Sequence, residues 1–531
     1  MGNNTTELEQ SYQSISPSDF FYRNREIAGF TNPSRAVYAA LRELIENSLD
    51  ACESFGAPPQ ILVRMREMGQ TSNETSVYEV RIEDNGTGIP NEHIPRCFGQ
   101  VFYGTKYKLK QARGTFGLGG TMTMLYGQIT THKPVHVYSS TGGKIYEYEI
   151  MVDVQSNTPQ VLRHQELENK KKWRGTIVEF QIEGDYARAM PKVYEYLRQT
   201  AMINPYADIT FIDPRGRLYV FERATDKMPP LPKVVKPHPH GIDVETVRRF
   251  IAVTKTKDLS QFMLTHFQGV RRGIVNQFLE SAGLNPKKNP RDLKPDEIVQ
   301  FARASMTFPD FVKPDSSCLS PIGTELFEMG ILKEMGLDPT VDFVRVVKRD
   351  AAAYLGFPFV IEAAVAYGPT VEKMYKTGIQ LYRFANRIPL LYDETSDVAW
   401  KVVTKNINWS TYNVSTDTPV IVAIHLCSTK IPYKTVGKEC IADQPEIEKE
   451  ITNAIREAAR SLRTYISKRI RMTYERQRAN IFMKYLPKIA EFSAKLAEKE
   501  KLPDIQPLVM KLAARLEEVP AIRTVRQVVG E

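Results

Sequence analysis

The stretch Asn32–Pro59 constrains this chain more than any other. Asn32 before Pro33 is a helix start, an N-cap side chain followed by a proline in the first turn. Gly56, Pro58 and Pro59 stop what began there, so a helix is predicted to about Ser54. With Glu43 at zero on a helical wheel, Glu46, Asn47 and Asp50 fall within about 60° of it, while Leu41, Leu44, Ile45, Leu49 and Cys52 take the other side. Such a helix lays one face on a core and keeps an acid-and-amide face for water or a ligand. A plain amphipathic surface helix carries the same pattern, so the chemistry of the polar face decides its interest. Glu43 and Asn47 stand one turn apart, so a carboxylate and an amide oxygen converge on one point. The amide oxygen suits a hard cation such as Mg2+, and the carboxylate can activate a nearby water.

Three further elements follow in order. The alternating run Val77–Glu83 reads as a strand, and it closes on Asp84-Asn85-Gly86-Thr87-Gly88. An aspartate at a strand end can accept from an exocyclic amine, and the glycines let backbone approach a flat ring; a turn without a ligand also uses Asn-Gly. Next comes Gly114-Thr115-Phe116-Gly117-Leu118-Gly119-Gly120, leading into a helix at Thr121. Free backbone N–H groups and a helix N-terminus make an anion cradle. It is no P-loop, since no Gly-Lys-Ser/Thr follows, and its G-x-x-G-x-G spacing is not the dinucleotide fingerprint. No H-R-D or D-F-G occurs, which excludes a protein kinase. The fourth element is Gly175-Thr176-Ile177 at the start of a predicted strand.

The rest of the chain divides readily. At 531 residues it is sized for roughly three or four domains. Residues 1–25 read as an N-terminal arm, and strands near 134–152, 175–182 and 208–221 place a mixed α+β unit over 26–228. A proline-studded linker, MPPLPKVVKPHPHG, opens a helical module over 229–312; His238 and His240 there read as a plain loop. Strands return at 358–368, 379–392 and 419–427. After Asp443 and Pro445 a long helix is predicted, with Ile447, Ile451, Ile455, Ala458, Leu462, Ile466 and Ile470 as its apolar stripe. It closes a unit over 313–485 and spans roughly 60 Å. Its far half is basic, which suits a solvated face as well as DNA. Residues 486–531 are left as a helical tail.

Composition adds limits. No run approaches the ~20 apolar residues of a membrane span, and the first residues have neither a basic start nor an apolar stretch. Cys52, Cys97, Cys318, Cys427 and Cys440 are scattered, which fits reduced thiols in a cytoplasmic protein. A net charge of +9 and a pI near 9.0 permit a polyanionic partner such as nucleic acid.

Taken in order, the four elements resemble the N, G1, G2 and G3 boxes of the GHKL ATPases, the superfamily of gyrase, the Hsp90 chaperones, histidine kinases and MutL. The resemblance covers about 25 to 225 and implies a GHKL α/β sandwich that binds ATP with Mg2+. By it Glu43 is the general base, Asn47 the Mg2+ ligand, Asp84 with Gly86 and Gly88 the adenine site, and Gly114 to Thr121 a lid over the phosphates, with Thr176 beside them. The stretches FFYRNREIAGFTNPSRAVYAALRELIENSLDAC, VFYGTKYK, RGTFGLGG and HLCSTKIPYKTVGKE are similar to the B subunits of the type IIB DNA topoisomerases, from about 17 to 475. That family implies an ATPase domain with an N-terminal strap for dimerisation, a helix–two-turn–helix module, and a transducer domain with a long helix. It also puts Thr105 and Lys106 beside the nucleotide.

Lys438 lies in a Lys-rich loop between a predicted strand and the long helix. An ammonium is a compact charge suited to a terminal phosphate, and the family places its switch lysine in this G-K-E setting; Lys430 and Lys434 read as solvated loop charges. The resemblance implies an ATP-driven homodimer gating one DNA duplex, and an A subunit that cuts the other in an A2B2 heterotetramer associated with the nucleoid. The absence of a D-x-D cleavage motif favours that separate A subunit. A GHKL clamp of chaperone or mismatch-repair type is the rival reading, and a non-enzymatic relative is a third. The helical module and the S-T-K-I-P-Y-K loop oppose the former; intact Glu43, Asn47, Asp84 and lid glycines oppose the latter.

Overall fold

The computed structural model describes residues 14–72, 74–105, 107–114, 117–499 and 501–517. Lys106, Thr115 and Phe116, three of the expected site residues, lie outside these, as do residues 1–13 of the arm. The arm's described part holds helix α1 (Pro17–Arg23), N-capped by Ser16, with Phe21 buried. Ser16 and Ser18 both donate to the Val154 carbonyl, at 2.6 and 2.7 Å, so this segment packs on the rest of the chain.

Helix α2 (Pro33–Phe55) begins where the Asn32 side chain accepts the Arg35 N–H at 2.8 Å and ends at Gly56 in the left-handed region. It covers an eight-stranded sheet made of β1 (Gln60–Gln70), β2 (Ser76–Asp84), β3 (Val135–Thr141), β4 (Ile145–Asp153), β5 (Thr158–Leu167), β6 (Arg174–Gly184), β7 (Asp208–Ile212) and β8 (Leu218–Phe221). The spatial order is β5-β4-β3-β6-β2-β1-β7-β8. Only β1 and β7 pair in parallel. Helices α3 (Ile94–Gly99), α4 (Gly119–Thr131) and α5 (Tyr186–Ile203) complete the helical layer. One sheet face is apolar and packs on that layer: β2 alternates buried and half-buried along its whole length, and Val80 and Ile82 meet Leu41 and Ile45 of α2 in one core.

Beyond Pro229 the chain runs through one short 3-10 turn (Pro239–Gly241) to a helical module of α6 (Val244–Val253), α7 (Leu259–His266), α8 (Arg272–Ser281) and α9 (Pro295–Thr307). Phe262, Phe267, Phe278 and Phe301 fill its own core. His238 and His240 each bond a backbone carbonyl of this module, Val312 at 2.8 Å and Phe308 at 2.7 Å, and so staple the linker to it. Burial pulls the His238 pKa down to about 4, which keeps the ring neutral.

Helix α10 (Thr324–Glu334) precedes a second sheet of β9 (Phe343–Lys348), β10 (Ala352–Tyr354), β11 (Phe357–Tyr367), β12 (Ile379–Ala385), β13 (Ile388–Pro389) and β14 (Val420–Ser428). Its order is β10-β11-β14-β12-β13, with β9 also on β11. β11 and β14 are buried at every position because both faces of the sheet are covered. On one face lies α11 (Pro445–Leu496), whose Ile447, Ile451, Ile455, Ala458, Leu462 and Ile466 pack on Ile361, Ala363 and Val365. On the other, Phe327 and Ile331 of α10 share a core with Met202 and Ile203 at the end of α5 and Tyr206 just beyond it.

Two expectations for α11 are corrected. The helix passes 485 and continues to Leu496, with Pro487 inside it; on a solvent-exposed helix water can take the carbonyl that the missing N–H releases. Ile470, expected in the apolar stripe, is 59% exposed, because the helix has left its sheet by then. Helix α12 (Gln506–Glu517) follows. Among the described residues no helix is long and apolar enough to cross a membrane.

Candidate nucleotide-binding site

A cavity of about 690 Å³ lies between α2, the ends of β2 and β6, the first turn of α4 and the loops of the second sheet. Glu43, Asn47 and Asp50 face it from α2. Glu46, on the same predicted face, turns instead toward the second sheet and is 2% exposed.

Asp84 sits at the cavity's inner end, held from three sides. Its Oδ1 accepts the N–H groups of Gly86 at 2.9 Å and Thr176 at 3.2 Å, and its Oδ2 accepts the Ser48 hydroxyl at 3.0 Å. Burial outweighs these donors and pushes the Asp84 pKa up to about 6. The carboxylate therefore favours a ligand that brings one more donor. Gly86 does not line the cavity; it packs on Ala51 of α2 and braces Asp84 through its N–H. Gly175 lets β6 approach: with φ at 139°, an added Cβ would lie 1.9 Å from the Asp84 carbonyl oxygen. Gly88 and Thr176 line the wall, and the Thr176 hydroxyl pairs with Ser139 at 3.1 Å.

The glycine segment closes the other side. Gly114, Gly117, Leu118, Gly119, Gly120 and Thr121 all line the cavity, as does Thr105. Helix α4 starts at Gly119, so its unpaired N–H groups point into the space where an anion is stabilised. Gly119 rests on Glu43: a Cβ there would lie 1.7 Å from its Oε2. A side chain at this position would displace the Glu43 carboxylate.

Lys438 comes from the other sheet's side. Its loop, after β14, is tied back by the Tyr433–Ile441 bridge and by Asp397, which accepts the Ile441 N–H at 2.8 Å. The ammonium is buried, 3.5 Å from Glu43 Oε1 and 3.3 Å from Glu46 Oε2. Burial opposes its charge, but the two carboxylates outweigh that and hold its pKa above the ordinary lysine value. The backbone of Lys438 is left-handed, φ 54°, a cost a lysine bears only where its surroundings fix it. Of its loop neighbours, Lys430 lies over the Phe357 ring and Lys434 bonds the Ser396 carbonyl.

Sequence reasoning passed over Arg42, Glu53, Arg113 and Arg387. Arg42 donates to Glu43 at 2.7 Å and to the Gly437 carbonyl at 2.9 Å, joining α2 to the Lys438 loop. Arg35 pairs with Glu439 in the same contact. A buried arginine looks like a surface one in sequence, so nothing marked them. Glu53 did leave a signal, since it continues the polar face of α2 to its last turn.

Residues 32–157 match the family model described as histidine kinase-, DNA gyrase B- and HSP90-like ATPase, and residues 314–478 match the topoisomerase VI B subunit transducer. The B subunit of type 2 DNA topoisomerase 6 from Pyrobaculum aerophilum is 45% identical over 461 residues, 86% of this chain and 85% of that protein. Its counterpart from Metallosphaera sedula is 41% identical over 486 residues, 91% of this chain and 90% of that protein. Among solved structures, the 43K ATPase domain of Thermus thermophilus gyrase B, crystallised with an aminocoumarin, aligns over 88% of this chain and 98% of that one at 12% identity and a TM-score of 0.42. With relatives this close over most of its length, the chain belongs to the family of type 2 DNA topoisomerase 6 B subunits.

Proposed function

We propose that this chain is the ATP-hydrolysing subunit of a type IIB topoisomerase and that the cavity takes Mg2+-bound ATP. One observation carries the reading: a hydrogen-bonded aspartate at one end of a single cavity faces an acid, an amide and a helix N-terminus at the other. That is the order of an adenine, a triphosphate and its metal. The volume fits the ~300–1,000 Å³ of small-molecule sites. Among the described residues no group of three acids, histidines or cysteines could cage an ion. That suits magnesium held by one protein oxygen together with phosphates and water.

Asp84 accepts from the adenine amine, and Asn47 is the residue that would hold the metal. Gly114 and Gly117–Thr121 form the lid, with Thr105 beside it, and α4 offers its N–H groups to phosphate oxygens. Magnesium supplies charge neutralisation on the phosphates when bound. Glu43 orients and deprotonates the attacking water, and Lys438 meets the terminal phosphate's charge; such catalysis is positioning plus electrostatics.

At the level of assembly, two copies dimerise on binding ATP, with the N-terminal arm as a strap between them. They form an A2B2 heterotetramer with a DNA-cleaving A subunit, and one duplex passes through the break in the other, in the cytoplasm on the nucleoid. Support comes from the transducer match and the relatives' names. The test is relaxation of supercoiled plasmid by the chain together with a cleaving A subunit. Relaxation should require ATP, Mg2+ and both proteins; relaxation that proceeds without ATP, or none with all components, would sink the proposal.

A further inference from the structure

Lys438 is not the only bridge between the cavity and the second sheet. The β12–β13 hairpin turns on two residues, Asn386 and Arg387, with φ of 48° and 64°. Two-residue hairpins favour glycine or asparagine at such angles, so an arginine held there in the buried interior is serving a contact. Both residues line the cavity wall. Arg387 donates to Glu53 Oε2 at 2.9 Å and to the Tyr206 hydroxyl at 3.0 Å. The other oxygen of Glu53 accepts from Arg113 at 2.6 Å. Arg113 immediately precedes Gly114; its side chain is almost fully buried, and it also bonds Asp50 at 2.9 Å and Asn204 at 2.6 Å. The same stem is gripped twice more. Asn386 donates to the Ala112 carbonyl at 3.1 Å, and the Gln111 amide exchanges bonds with the Ser320 backbone at 2.7 and 3.0 Å.

We propose that the Asn386–Arg387 turn is a second coupling point, which holds the stem of the glycine lid through Glu53 and transmits lid closure to the second sheet. The inference rests on residues 114–121 being a nucleotide lid. One carboxylate shared by two guanidiniums ties the lid stem, the end of α2 and the hairpin into one unit. Burial opposes the charge of Glu53, but Arg113 and Arg387 hold its pKa below the ordinary glutamate value. The stem of the lid therefore cannot shift without moving the hairpin with it. Arg387 is a positioning residue, since its guanidinium is engaged by Glu53 and the Tyr206 hydroxyl.

The test uses the full chain and a non-hydrolysable ATP analogue. Arg387→Met leaves Glu53 paired with Arg113 and so leaves no buried charge alone, whereas Glu53→Gln would leave the buried Arg387 without its carboxylate. Expected for Arg387→Met is analogue affinity within about threefold of wild type with kcat lower by about tenfold or more, and partial recovery in Arg387→Lys. Should Arg387→Met fail to fold, Asn386→Gly suits the turn and frees the Ala112 carbonyl, and the same split between affinity and kcat is expected. An unchanged kcat, or affinity and kcat falling together, overturns the coupling. A wild-type chain that binds no analogue overturns the nucleotide reading itself.

Discussion

The Lys438 ammonium lies 3.5 Å from the carboxylate oxygen of Glu43 that also takes a 2.7 Å bond from Arg42. The residue proposed to activate water thus rests against two cations, one from its own helix and one from the other sheet. The lysine proposed to meet the terminal phosphate and the acid proposed to activate water therefore share one contact.

Lys438→Met should therefore slow ATP turnover by about 10²-fold, the usual cost of removing one charge stabiliser from a phosphate site, with analogue affinity much less affected. Steady-state hydrolysis alongside analogue titration measures both. Turnover at the wild-type rate would remove Lys438 from the mechanism.

Glu43→Gln keeps the shape of the side chain and removes its basicity. Hydrolysis is expected to fall by about 10²–10⁴-fold, the range for loss of a general base, while analogue binding survives. A Glu43→Gln chain that hydrolyses ATP normally would assign the base elsewhere.

Asp84 gives a pH signature. Its pKa near 6 means that the free protein takes up a proton below that value, whereas an adenine amine needs the carboxylate as acceptor. Binding must then expel the proton, so affinity for the ATP analogue should fall about tenfold per pH unit below pH 6 and stay level above it. For the fold the sign is opposite: the raised pKa means that ionising Asp84 costs stability as pH rises toward 6. Isothermal titration between pH 5 and 8 tests the first point, and Asp84→Asn should flatten the slope.

Ile455 is fully buried between α11 and the second sheet. Ile455→Ala should cost about 2–5 kcal/mol by deleting packed methyl groups, read as a lower denaturation midpoint. The cavity lies on other elements, so analogue affinity should hold at temperatures where the variant is folded. A matching loss of affinity would place the helix in the site.

What the sequence revealed followed from periodicity. The α2 helix, the β2 strand and the α11 stripe each bury one face, and each was legible because that face repeats in the chain. Strand β5 was missed because it is a sheet edge with nearly every side chain exposed, so no buried face imposes alternation. Strand β1 was hidden by charged residues in its exposed second half. In the site, the residues on named motifs came together around one cavity, apart from Gly86 and the three outside the described residues. The arginines joining the sheets did not announce themselves, because their partners lie far away in the chain: Arg387 meets Glu53 across 334 positions. Long-range charge pairing has no local pattern to read.

Met202 and Ile203 at the end of α5, with Tyr206 just beyond it, are buried within the apolar layer of the second sheet. The two sheets cannot part without exposing that layer to water, so any relative motion that keeps it buried would pivot about it. Helix α11 is packed on the second sheet as far as Ile466 and continues beyond it to Leu496, about 45 Å. A tilt of about 5° where it leaves the sheet would displace its tip by roughly 4 Å. A shift of one or two bond lengths at Lys438, carried to that point, would become a displacement on the scale of a protein side chain where the helix ends.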